Sequence, residues 1–140
     1  MALVVPNSSE VVLLKRMLNV GNTSTVVLRL FSSNTNPVPN TSLTDLTEVS
    51  QTGYSPVTLT DASWLVAASP LTGAAVASYA EQTFTFSSAA GGVDIYGYYI
   101  TDTSGTPNLL WLERFSAAPF SVPPAGGQLM ITATINLENL

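Results

Sequence analysis

Apolar and polar residues alternate along most of this chain with a period of two. Between Ser24 and Ser32, Val27, Arg29 and Phe31 alternate with Val26, Leu28 and Leu30. That period in a β-branched run predicts a strand. Ser78–Ser87 alternates in the same way, with Tyr79, Glu81, Thr83 and Thr85 against Ala80, Gln82, Phe84 and Phe86. Gln128–Asn136 sets Leu129, Ile131, Ala133 and Ile135 against polar or small residues. Trp64–Ala67 and Tyr54–Leu59 read as shorter strands, the latter limited by Pro56, which cannot donate to a sheet ladder. Leu46–Val49 reads as a short edge strand. Ser33–Ser42, with two Pro and three Asn, reads as a loop, as do Ser69–Ala77, Ala89–Gly92 and the Pro-rich Ala118–Ala125.

One early segment departs from this period. Asn7-Ser8-Ser9-Glu10 has the residues of a helix cap, and Val11, Leu14 and Leu18 follow at helical spacing. The pattern predicts a short helix over Glu10–Leu18, with a strand through Val11–Leu14 as the rival.

The stretch Ile95–Phe115 predicts a β-hairpin. Two aromatic-rich runs flank the turn-forming Asp102-Thr103-Ser104-Gly105-Thr106-Pro107-Asn108. Setting Asp102 opposite Leu109 gives a definite register. Ile100 then faces Trp111, Tyr98 faces Glu113, and Tyr96 faces Phe115. Gly97 faces Arg114, whose guanidinium would lie over bare backbone. A slip of one residue would exchange the two faces. Trp64, Tyr96, Tyr98, Trp111 and Phe115 are accordingly expected in the core and the hairpin.

About eight short strands, turn signals between them and one N-terminal helix predict an all-β fold. The architecture expected is a single-domain β-sandwich over residues 1–140, with a jelly roll as one form of it. Residues 1–19 form the N-terminal segment and helix, and 24–136 the sandwich.

Composition sharpens this picture. Only 9% of residues are charged, far below the roughly 25% of an average soluble domain. Sixteen Ser and 17 Thr supply most of the polarity. Sparse charge suits a surface that lies against other proteins. The net charge is −5, and the basic residues are Lys15, Arg16, Arg29 and Arg114. Four scattered cations make no phosphate-binding patch, so no nucleic-acid partner is expected. No run approaches the ~20 apolar residues of a membrane span, so no membrane partner is expected. The absence of Cys and of a signal-peptide pattern favours synthesis in the cytoplasm.

The chemistry available is narrow. With no His and no Cys, a serine triad of the usual form and most transition-metal sites are excluded. Asp61, Glu81, Asp94, Asp102 and Glu113 have no spacing that marks a carboxylate pair for glycoside hydrolysis. Asp94, Asp102 and Glu113 could form a calcium site only if the fold brought them together. The expectation is a protein without catalytic residues, cofactor or metal, not an enzyme. Glu113-Arg114, an adjacent pair of opposite charge, suggests ion pairs with neighbours or with a partner subunit.

In order along the chain come the short helix, the strand at Val26–Phe31 and the Pro/Asn/Thr-rich loop. Thr52-Gly53-Tyr54 follows, with Val57-Thr58-Leu59-Thr60 and Trp64. Then come Ile95-Tyr96-Gly97-Tyr98-Tyr99, Leu110-Trp111 with Glu113-Arg114-Phe115, and a closing strand after Gly126-Gly127. In this order the chain resembles the head decoration, or capsid cement, proteins of tailed bacteriophages. The resemblance implies a non-enzymatic structural protein on the outer capsid surface of the virion. It implies the major capsid protein as partner and a homo-oligomer, favoured as a trimer. The partner surface expected is the apolar N-terminal segment Met1, Ala2, Leu3, Val4, Val5 and Pro6, continued by Val11 and Leu14 of the helix. Two other readings stay open. One is a phage tail-fibre or adaptor module. The other is a carbohydrate-binding module with an exposed aromatic row of Tyr96, Tyr98 and Trp111.

Overall fold

The computed structural model describes residues 25–60, 63–68, 75–88, 92–103 and 105–137, together with Leu14, Lys15 and Leu18. The fold is all-β, in several antiparallel sheets. Among the described residues the strands follow in chain order: β1 (Val26–Phe31), β2 (Val57–Leu59), β3 (Trp64–Ala68), β4 (Ala75–Tyr79), β5 (Gln82–Phe86) and β6 (Val93–Ile95). After them come β7 (Gly97–Asp102), β8 (Leu109–Arg114), β9 (Phe120–Val122), β10 (Gly127–Ile131) and β11 (Thr134–Leu137). They form a four-stranded sheet β2–β1–β7–β8, a three-stranded sheet β11–β4–β3, and the pairs β10–β5 and β6–β9.

The chain divides into two compact units. One comprises Met1–Thr25, Leu59–Glu81 and Thr132–Leu140, and the other Val26–Thr58 and Gln82–Ile131. In the first, Leu14, Leu18, Leu59, Trp64, Tyr79 and Ile135 are buried. Trp64 meets Tyr79 edge-on at 5.1 Å, and the Thr60 N–H donates to the Tyr79 hydroxyl at 3.1 Å. Leu14 and Lys15 are helical, and the Leu18 N–H reaches the Leu14 carbonyl at 3.0 Å. The rest of the expected helix lies outside the described residues. In the second unit, Val26, Leu28 and Leu30 bury one face of β1, and Tyr98, Ile100, Phe84 and Phe86 are buried as well. Tyr54 stacks on Phe84 and Phe86 at centroid distances of 5.8 and 6.3 Å.

Several boundaries differ from the expectation. The run Ser78–Ser87 is two strands, because β4 ends at Tyr79 and β5 begins at Gln82. Gln128–Asn136 is likewise divided into β10 and β11. The breaks coincide with the points at which the chain passes from one unit to the other. Alternation runs unbroken through Thr132–Ala133, whereas at Ala80–Gln82 the buried apolar positions change from odd (Ala77, Tyr79) to even (Phe84, Phe86). Ser69–Ala77 is not loop throughout, since Ala75–Ala77 opens β4 and pairs with both β3 and β11. The Pro-rich connection contains β9, which pairs with β6. Leu46–Val49 forms no strand, only a bridge between Phe31 and Glu48.

The hairpin register is that expected from Gly97 to Ile100: Gly97 pairs with Arg114, Tyr98 with Glu113 and Ile100 with Trp111. It then shifts. A bulge between Ile100 and Thr101 sets Thr101 opposite Leu109. Asp102 pairs with the turn instead of with Leu109. Its carboxylate accepts the Asn108 N–H at 2.9 Å and the Asn108 side-chain amide at 2.7 Å. The space over Gly97 is filled by the Phe31 ring and not by Arg114. Arg114 lies over the Tyr96 ring at 4.9 Å and donates to Thr35 O at 3.1 Å and Asn34 Oδ1 at 2.7 Å. It therefore ties the 33–42 loop to the hairpin.

Candidate functional site

The larger unit carries a polar cleft and an apolar groove. The first is polar and sits on the face of β1 and β7 that carries Arg29, Tyr99 and Thr101. Antiparallel pairing places Arg29 directly opposite Tyr99. Thr101, two residues along the strand, projects to the same face. The 43–48 segment brings Leu43 and Glu48 to this face, and Pro107 comes from the hairpin turn. Together these six residues line a cleft of about 250 Å³.

Local hydrogen bonds hold the 33–48 loop in place. The Ser42 N–H and hydroxyl both donate to the Asp45 carboxylate, at 2.8 and 2.9 Å. These bonds favour the ionised form, so the Asp45 pKa is lowered. The Thr35 hydroxyl donates to Asp45 O at 2.7 Å, and the Thr47 N–H to Ser33 Oγ at 3.1 Å. Glu48 is thereby presented to Arg29, which donates through Nη1 to both carboxylate oxygens at 2.9 and 2.8 Å. Tyr54 adds a third bond, donating to Glu48 Oε1 at 3.0 Å.

Tyr54 is placed by the turn before it. Gly53 has φ 89°, a left-handed conformation suited to Gly, and a Cβ there would lie 2.7 Å from Ser87 N. Burial and the neighbouring Glu48 both push the Tyr99 phenol up, to about 12, against the lowering effect of Arg29. The Tyr54 phenol is also raised, mainly by burial. Both tyrosines therefore stay neutral hydrogen-bond donors at physiological pH.

The second surface is an apolar groove of about 460 Å³. Phe115, Pro119, Phe120, Leu129, Met130 and Ile131 supply most of its lining. Met130 is 59% exposed and Phe120 39% exposed. Large apolar side chains left in water at one place mark a contact surface more readily than scattered ones do.

The residues singled out from sequence are distributed differently. Met1–Pro6 and Val11 lie outside the described residues. Leu14, expected at a partner surface, is fully buried and presents nothing to a partner. Trp64 and Tyr98 are buried, while Tyr96, Trp111 and Phe115 are half-buried. With Tyr98 only 3% exposed, Tyr96, Tyr98 and Trp111 form no open row for stacking a sugar. Asp94, Asp102 and Glu113 do not converge. Asp94 accepts Ser121 Oγ, Asp102 holds Asn108, and Glu113 accepts the Tyr98 hydroxyl. Among the described residues, no group of three or more metal-ligating side chains occurs, and no helix is long and apolar enough to cross a membrane. Among the described residues, Glu113 and Arg114 make hydrogen bonds to neutral groups and no ion pair with a neighbour.

Sequence reading missed the cleft. Its one legible sign was Arg29, a cation in the middle of the apolar run Val26–Phe31. A charge there demands a partner. Nothing in the spacing identified that partner as Glu48.

No protein-family model, curated protein or solved structure matches the chain.

Proposed function

We propose that this chain is a non-enzymatic virion structural protein that binds the outer surface of a tailed-phage capsid and stabilises it. The observation that carries the reading is the exposed apolar groove of β9 and β10, with Phe120 and Met130 open to solvent in a chain only 9% charged. Interface cores are depleted of charge and enriched in aromatic residues and Met. The order of sequence segments resembles that of the capsid cement proteins and supports the major capsid protein as the partner. A homo-oligomer, favoured as a trimer at three-fold positions, would add avidity to individually weak contacts.

The test is to add the purified chain to expanded phage heads that lack it and to image them by cryo-electron microscopy. Ordered density at symmetric sites on the shell is expected. A Phe120→Asp/Met130→Asp variant, which alters exposed side chains only, should stay folded and leave the heads bare. Deletion of Met1–Val5 tests the N-terminal part of the interface separately. Bare heads with the unaltered protein overturn the reading. Density confined to the tail would favour a tail-fibre or adaptor module instead.

A further inference from the structure

The polar cleft has a chemistry that capsid binding does not use. Arg29 carries five N–H groups. Its two Nη1 bonds both go to Glu48, which leaves the Nη2 and Nε donors unused among the described residues. Glu48 neutralises the guanidinium and accepts from Tyr54 as well. Tyr99 stands directly opposite Arg29 and lines the same cleft, and its hydroxyl oxygen has lone pairs for a donor. Thr101 adds a hydroxyl that is 1% exposed and has no hydrogen-bond partner. An unpartnered buried hydroxyl costs stability. Opposite Thr101, β8 carries the extra residue Leu110, a bulge of the kind that occurs beside sites.

These groups select a ligand class. Because Arg29 and Glu48 cancel each other, neither an anion nor a cation gains much from entering. The open valences are guanidinium donors, a phenol oxygen that accepts, and a hydroxyl that does both. Adjacent hydroxyl groups of a neutral ligand match this set, since each donates and accepts. Leu43 and Pro107 give the cleft an apolar rim for the carbon face of such a ligand. At about 250 Å³ the space falls below the roughly 300 Å³ at which pockets for drug-sized ligands begin. It suits one ring, not a longer chain. We infer that the cleft formed by Arg29, Glu48, Tyr99 and Thr101 binds a single sugar ring through adjacent hydroxyl groups. Rotation of Thr101 about χ1 exchanges its methyl and hydroxyl groups, which are similar in size. That rotation turns the hydroxyl to the floor when a ligand supplies the missing partner.

The experiment is a titration of the full chain, isotope-labelled, with methyl glycosides of glucose, galactose, mannose and N-acetylglucosamine, and with oligosaccharides ending in the same rings. The readout is the nuclear magnetic resonance signals of the Arg29 Nε–H and the Thr101 methyl. At least one sugar is expected to shift both signals saturably. Equal affinity for glycoside and oligosaccharide makes a free sugar the source. Tighter binding of the oligosaccharide makes the source a glycan terminus. Thr101→Val should fold at least as stably as the unaltered chain and bind about tenfold or more weakly, a loss of about 1.4 kcal/mol. Arg29→Lys, which keeps the charge and loses the planar fork, should lose binding as well. Failure of every sugar to shift these signals, or shifts that persist unchanged in both variants, overturns the inference.

Discussion

The Tyr54 hydroxyl accepts the Leu30 N–H at 3.1 Å. The Leu30 carbonyl on the same edge of β1 accepts the Val49 N–H at 3.0 Å. A tyrosine side chain thus stands where the carbonyl of a neighbouring strand would otherwise complete the ladder. The same hydroxyl donates to Glu48, so one atom joins the sheet edge to the ion pair of the cleft. Tyr54→Phe keeps the ring stack on Phe84 and Phe86 but leaves the Leu30 donor unpaired. A loss of about 1–3 kcal/mol is expected, measured as a lower urea midpoint with an unchanged slope.

Gly97 is required by what lies on both sides of it. A Cβ there would stand against the Glu113 carbonyl oxygen and 2.7 Å from the Phe31 ring. Neither a paired strand nor a fully buried aromatic can give way cheaply. Gly97→Ala should cost at least about 1–3 kcal/mol. Gly105→Ala, in the hairpin turn with open space around it, serves as the control. Thermal unfolding of the two variants should separate them clearly.

Tyr99 makes the fold sensitive to alkali. Its pKa rises from the ordinary 10.0 to about 12 on folding. The folded state therefore holds the proton more tightly than the unfolded one. The resulting stability is fully present below pH 10 and is lost as the pH rises toward 12. Its size is on the order of 1–3 kcal/mol. Urea midpoints followed from pH 9 to 12 should fall, and Tyr99→Phe should flatten part of that fall.

The Arg29–Glu48 pair is only partly shielded, with side chains 27% and 33% exposed. Its coupling in a double-mutant cycle with Arg29→Met and Glu48→Gln should therefore be modest, about 0.5–1 kcal/mol. Raising the salt concentration should reduce it. Glu48→Gln alone should cost more than that coupling, because the Tyr54 hydroxyl also loses its charged acceptor.

Asp45 gives the opposite pH behaviour. Its carboxylate holds the Ser42 N–H and hydroxyl, and its pKa is lowered from 3.8. The contribution is present above that ordinary value and disappears as the pH falls below it. Acid should therefore loosen the 33–48 loop before the sheet. Faster amide exchange at Asp45 and Leu46 than in β7 would report it.

What the sequence determined by itself is the strand content and much of one register. Period-two alternation is a local property, and burying one face of a strand needs no knowledge of the partner. This is why β1, β5 and the Gly97–Ile100 pairing were legible. Tertiary structure alone decided where the long alternating runs break. Alternation continues through Thr132–Ala133 although the ladder does not. It decided the bulge at Thr101, because the Asp102–Asn108 bonds outweigh a simple count back from the turn. It decided that Leu14 and Tyr98 are covered while Phe120 and Met130 remain open. It also brought Arg29 and Glu48 to Tyr99 and Thr101 of β7, far from both along the chain. Contacts at long separation depend on how the sheet closes, and no local pattern of side chains encodes them.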